Sequence, residues 1–134
     1  MRRRVTVLLL AAWSVTARGA EDGVLIEVFT DATLFPVTSA GTATVYDLSA
    51  PRRLAADLGR GLPREPAAAE TAARARIAGA GTNLRAAYEG PAKALGYGLA
   101  KIPAVVFGQG QSVVYGVTDV AAAIQLYRRW REGR

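Results

Sequence analysis

Glu27 and Asp31 sit at the end of a β-rich run, Val24 to Thr30, with the hydroxyls of Thr30 and Thr33 beside them. A carboxylate there can act as a general acid or base only with a second carboxylate or a base within hydrogen-bond reach. The sequence places none with certainty, so Asp31 reads as a loop cap and Glu27 as a tolerated strand charge. The chain has no His and no Cys. That removes the commonest general base and metal ligand, along with thiolate nucleophiles, disulfides and Cys-based zinc sites. Glu21, Asp22 and Asp31 lack the alternating spacing and terminal bidentate glutamate of a calcium loop, so no metal and no cofactor is expected. Gly108-Gln109-Gly110 joins two β-branched runs, whereas a phosphate-binding glycine loop leads into a helix.

The basic residues are the remaining chemistry. Lys and Arg number 17 against 11 Asp and Glu in 134 residues, a formal charge of +6. Much of that excess stands at the front. Arg2, Arg3 and Arg4 precede an uncharged apolar run, Val5 to Val15, and small residues follow. Such a run covers roughly half of a ~30 Å hydrocarbon core and is too short to span it, so residues 1–19 read as a secretory signal peptide. Cleavage is expected after Ala17 or Gly19. Its removal takes away Arg2, Arg3, Arg4 and Arg18, leaving 13 basic and 11 acidic residues, net +2. Arg52-Arg53, Arg74 with Arg76, and Arg128-Arg129-Arg131 are spread over three predicted helices without interleaved aromatic residues. Solvated helix faces are expected rather than direct nucleic-acid binding. Residues 20–134 hold no apolar stretch long enough for a membrane span, and one periplasmic domain is expected.

These features need elements to position them. Val24 to Thr30 predicts a buried strand, Thr30 to Thr42 a loop, and Ala43 to Leu48 a second strand. Ser49 is a candidate N-cap, with Pro51 near the first turn, for a helix over Arg52 to Leu58. Gly59, Gly61 and Pro63 end it. Pro66 opens an Ala-rich helix over Ala67 to Ala78, Gly79-Ala80-Gly81 breaks it, and Thr82 caps another to about Leu95 with a kink or break at Gly90-Pro91. Ala104 to Phe107 and Gln111 to Tyr115 predict a hairpin ended by Gly116. Thr118 or Asp119 caps a last helix to about Arg131. This order predicts an α/β domain with a mixed sheet and covering helices.

Lys101-Ile102-Pro103 directly before the AVVF strand, followed by a glycine turn, a strand, Gly116 and a helix, resembles the second half of the thioredoxin fold. That resemblance implies a cis Pro103. In thioredoxins a Cys-x-Pro-Cys or similar pair follows the first strand. Here Leu34-Phe35-Pro36-Val37 stands in that place, with the proline kept and neither cysteine present. Dithiol exchange needs a thiolate to attack and a thiol to resolve, so the redox activity does not carry over.

A closer resemblance covers nearly the whole chain: the leader, VFTDATLFPVT, TVYDLSAPRRL, the Ala/Arg-rich middle, AAYEGPAKALGYGLAKIPAVVF and VVYGVTDVAAAI. Together these resemble a family of small exported proteins of integrating conjugative elements, similar in kind to the thioredoxin-like F-type pilus-assembly TrbC proteins. The resemblance implies a non-enzymatic role in conjugative transfer through a type IV secretion apparatus, with a protein component of that apparatus as partner. Thr33, Leu34, Phe35, Pro36 and Val37, beside Ile102 and Pro103, are the expected partner-binding surface, where thioredoxin-like domains receive extended peptide. A general periplasmic peptide-binding chaperone is the alternative, and a hydrolase working through Asp31 without Cys or His ranks below both.

Overall fold

The computed structural model describes residues 20–21 and 23–134, with the side chains of residues 20 and 21 left aside; the expected signal peptide, residues 1–19, and its cleavage site lie outside them. The fold is α/β: a mixed sheet with four helices. The strands are β1 (Ala20–Glu21), β2 (Val24–Thr30), β3 (Thr44–Asp47), β4 (Ala104–Phe107) and β5 (Ser112–Tyr115), and the helices are α1 (Ala50–Gly59), α2 (Pro66–Gly79), α3 (Gly81–Gly96) and α4 (Val120–Glu132). β2 is central. It pairs in parallel with β3 and antiparallel with β4, and β5 continues the sheet antiparallel to β4. β1 adds a short antiparallel pairing to the start of β2. This strand order is compatible with a thioredoxin-like arrangement. Between the parallel strands β2 and β3, however, the chain runs as irregular backbone over 31–43 instead of a helix.

Alternation along the strands assigns the two faces. Ile26, Val28, Val105 and Phe107 face α4 and form the core with Val120 and Ala123, and Phe107 stacks on Tyr127 at 4.2 Å between ring centroids. The opposite face carries Glu27, Phe29 and Tyr46. Phe29 stacks on Tyr46 at 5.1 Å and meets the edge of Tyr97, from just past the C-terminus of α3, at 5.9 Å. α1 packs on α3 and α2 on α1, so the Ala-rich α2 buries no residue, in keeping with its thin apolar content. Leu54, Leu58, Ile77, Leu84 and Tyr88 line an apolar groove of about 350 Å³ among these three helices.

Several helix ends differ from the sequence reading. α1 starts at Ala50, and the Ser49 side chain does not cap it. The Ser49 hydroxyl donates instead to Asp47 Oδ1 at 2.7 Å, because that carboxylate lies nearer than the helix amides and is charged. Glu65 caps α2, accepting from the Ala67 and Ala68 N–H groups at 3.1 and 2.7 Å. Thr82 does not cap α3. That helix begins at Gly81, two residues after α2 ends at Gly79, with the buried Ala80 as the corner between them. Asp119, not Thr118, caps α4, through the Ala121 and Ala122 N–H groups.

Gly90-Pro91 does not break α3, which runs through both residues. Pro91 lies inside the helix, where it has no N–H to donate to the Ala87 carbonyl. Gly90 serves close approach: a Cβ there would lie 2.8 Å from Tyr46 Cβ and 3.3 Å from Leu48 Cδ2. The Ile102–Pro103 peptide bond is cis. Two effects oppose each other in Gly90→Ala. Better helix propensity favours the variant by about 1 kcal/mol, and overpacking at 2.8 Å against a Cβ that cannot swing aside falls in the upper part of the usual range, about 2–3 kcal/mol. The clash wins. Gly90→Ala is expected to lose about 1–2 kcal/mol in urea denaturation, whereas Gly79→Ala, with open space around it, is expected to be neutral or slightly stabilising. A Gly90→Ala protein as stable as the parent would show that α3 is not pressed against β3.

Candidate functional site

Beyond Thr30 the chain leaves the sheet in a tight turn fixed from both sides. The Leu34 and Phe35 N–H groups donate to the Asp31 carbonyl at 3.1 and 2.8 Å, and the Thr30 hydroxyl donates to the Phe35 carbonyl at 2.7 Å. Asp31 accepts from the Thr33 N–H at 3.0 Å and from the Arg52 guanidinium at 3.2 Å. It is therefore the loop cap that its position implied. Burial raises its pKa, but the Thr33 N–H and Arg52 outweigh that, and Asp31 lies below the ordinary carboxylate value. Asp47 holds the other side. Its Oδ1 accepts from the Ala32 N–H at 3.2 Å and the Ser49 N–H at 2.9 Å, and its Oδ2 from Arg53. Burial again opposes ionisation, and the Ser49 hydroxyl and Arg53 overcome it, so Asp47 lies well below the carboxylate range.

Two carboxylates and two arginines thus lock a turn whose tip is apolar. Leu34 is 68% exposed and Phe35 38%, Thr33 and Pro36 are also exposed, and Val37 is half-buried against the core. Thr38 then pairs with the start of α4: its N–H donates to the Thr118 carbonyl at 3.0 Å, and its carbonyl accepts from the Val120 N–H at 3.1 Å. The β2–β4 register pairs Phe29 with Ala104, which brings the turn and the Ile102-Pro103 step to the same end of the sheet. Ile102 is half-buried and Pro103 buried. Pro103 therefore underlies that end rather than offering its ring to solvent. Its carbonyl accepts from the Gly116 N–H at 2.9 Å.

Glu27 is more than a tolerated charge. It is 1% exposed, with Oε1 2.6 Å from Lys93 Nζ and Oε2 accepting from the Tyr97 hydroxyl at 2.6 Å. The hydrogen bond to Glu27 raises the Lys93 pKa against the effect of burial, and the same carboxylate, followed by burial, raises Tyr97. Lys93 is thereby held as an ammonium and is no nucleophile. Sequence reasoning missed Lys93 and Tyr97. A sole charge in an otherwise apolar strand, with a Lys and Tyr four apart on a later helix face, was the available clue.

Residues 24–133 match a family model described as Protein of unknown function (DUF1525). The chain belongs to this family. No curated protein and no solved structure matches the chain. In this DUF1525 domain four of the arginines singled out from sequence make contacts within the chain: Arg52 and Arg53 hold the turn, Arg74 pairs with Glu70, and Arg76 donates to the Leu58 and Arg60 carbonyls. Arg131 lies over the Tyr127 ring at 5.6 Å. Among the described residues no helix is long and apolar enough to cross a membrane, and no group of three or more acidic side chains is gathered to hold a metal ion.

Both anchors of the DUF1525 turn and sheet can be tested by stability. Removing Lys93 leaves the Glu27 charge buried, a class of change that costs 3–5 kcal/mol when both partners are buried. Because the Lys93 side chain is 35% exposed, Lys93→Met is expected to lose less, about 2 kcal/mol at neutral pH. Adding Glu27→Gln should recover at least half of the loss in urea titrations. A Lys93→Met protein as stable as the parent would mean that Tyr97 alone satisfies the carboxylate. For Asp47 the folded pKa lies below the ordinary 3.8. The stability it contributes is therefore whole above that value and is lost as pH falls below it. Asp47→Asn is expected to lose about 1–2 kcal/mol at neutral pH, and its stability should change less than the parent's between about pH 5 and pH 3. Parallel acid curves for the two proteins would remove Asp47 from this role.

Proposed function

We propose that this DUF1525 protein is a non-enzymatic periplasmic accessory protein of an integrating conjugative element. In this reading it binds a protein component of the type IV secretion apparatus through the turn Thr33–Val37 beside Ile102 and Pro103. One observation carries the reading: Leu34 and Phe35 are exposed on a turn that Asp31, Asp47, Thr30 and two arginines hold in a single shape. An apolar tip that must be ordered on binding loses affinity to that ordering, and a tip already ordered does not. The context of conjugation and export comes from the sequence resemblance and the leader, and the binding surface from the turn. Neither Asp31 nor Lys93 suits a reaction centre. Asp31 is committed to the turn amides and Arg52, and Lys93 is held protonated by Glu27.

The test is the transfer frequency of the element from a donor lacking this gene, complemented with the parent protein or with Phe35→Asp. Transfer is expected to fall at least tenfold in the deletion, to return with the parent protein and not to return with Phe35→Asp. The variant's thermal melt should match the parent's to within a few degrees. Unchanged transfer in the deletion would sink the conjugative role. An unfolded Phe35→Asp would make Phe35 a structural residue and remove the turn as the receiving surface.

A further inference from the structure

β5 is an outer strand, and the register shows which of its groups are left over. The Gly116 N–H donates to the Pro103 carbonyl, so the pair Pro103–Gly116 is of the hydrogen-bonded kind. Antiparallel pairs alternate, so Val114 and Ser112 exchange hydrogen bonds with β4, while Val113 and Tyr115 turn their N–H and C=O groups away from it. Nothing among the described residues pairs with that outer side. β1 and β3 both lie on the far side of β2, so the chain entering at Ala20 does so at the opposite edge. Outer strands are usually blunted by a charge, a proline or a bulge. Ser112-Val113-Val114-Tyr115 carries no charge and no proline.

The surroundings of this edge say what fits it. Between β5 and α4 runs a groove of about 450 Å³ lined by Val113, Val114, Leu126, Tyr127 and Trp130. Leu126 and Trp130, one turn apart, are 41% and 46% exposed. A cation stands at each end: the Arg134 guanidinium lies 4.3 Å from the Trp130 ring, and Lys101 Nζ lies 5.5 Å from the Tyr115 ring. A second copy pairing through its own β5 would run antiparallel and bring the Arg134 end of one strand to the Lys101 end of the other. That sets like charges together. We infer that the β5 edge is a strand-addition site for a partner protein segment that is extended, apolar in alternate positions and acidic at both ends. The main chain of Val113 and Tyr115 supplies the hydrogen bonds, the Leu126–Trp130 groove takes the apolar side chains, and Lys101 and Arg134 set the charge preference. Its Lys101 end adjoins Ile102 and Pro103, whereas Leu34 and Phe35 follow β2, on the other side of β4.

The full chain carrying Trp13→Phe leaves Trp130 as its only tryptophan, so indole fluorescence reports on the groove. The probe is a short peptide of alternating Thr and Val with Glu at both ends, compared with the same peptide ending in Lys. The Glu-ended peptide is expected to shift Trp130 emission, to slow amide exchange at Val113 and Tyr115 at least tenfold, and to bind at least tenfold more tightly than the Lys-ended one. Lys101→Glu with Arg134→Glu, both at exposed positions, should reverse that preference. Equal affinity for the two peptides would overturn the proposal, as would no emission shift or protection of Leu34 and Phe35 amides in place of Val113 and Tyr115. A dimer in sedimentation that protects the same two amides without peptide would make a second copy the occupant, and would overturn it too.

Discussion

A carboxylate at the centre of a sheet must be satisfied or the sheet does not hold, and Glu27 imposes that condition on the rest of the molecule. It lies on the middle strand, buried between Thr44 on β3 and Val106 on β4. An unpaired ion there would cost several kcal/mol, so the side chains that reach it decide where the helical layer sits. Lys93 and Tyr97 reach it from α3 and its C-terminal cap, four residues apart. Gly90 precedes Lys93 by three residues and brings the helix backbone against Tyr46. Positions 90, 93 and 97 form one helix face. The ring of Tyr46 is then shared between Phe29 beneath it and the Lys93 ammonium 5.5 Å from its centre. α1 stands on α3 and α2 on α1, so both inherit its position.

The second constraint sits at the end of the same strand. Asp47 closes β3 and accepts the Ala32 amide from the turn as well as the Ser49 amide at the start of α1. One carboxylate thus fixes the turn, the edge strand and the first helix relative to one another. Arg52 and Arg53 are successive residues on α1, and they divide Asp31 and Asp47 between them. Exposed ion pairs contribute little individually. These two differ because each carboxylate is shielded, with 9% and 18% of its side chain exposed, and also accepts backbone amides that would otherwise be unpaired. The polar groups at the base of the apolar tip are thus satisfied.

What could be read from sequence follows from which interactions are local. β2, β4 and β5 were legible because runs such as Val24-Leu25-Ile26 and Val113-Val114 carry their own β preference. The α4 cap was legible to within one residue, Thr118 or Asp119, since the capped amides lie two and three residues beyond Asp119. Ser49 was misread because a charged acceptor two residues back outcompetes the helix amides for its hydroxyl. Gly90-Pro91 was misread because a glycine required for contact with a strand 44 residues earlier looks, in sequence, like a helix breaker. Glu27 was least legible: its partners stand 66 and 70 residues away, and no local pattern links them. The turn was placed by its match to a thioredoxin-like position, but the carboxylates that hold it belong to tertiary structure.

A chain without Cys or His builds recognition without thiol or imidazole groups. Both candidate surfaces are made this way. The turn offers Leu34 and Phe35 on a fixed backbone, and the β5 edge offers main-chain donors and acceptors between Lys101 and Arg134. No side chain type in the sequence titrates at its ordinary pKa between about pH 5 and 8, and the depressed Asp31 and Asp47 move further from that range. Neither edge of the sheet depends on a redox state, since no thiol is present to respond to one. Recognition built this way rests on shape, main-chain hydrogen bonds and charge rather than on thiol or imidazole chemistry.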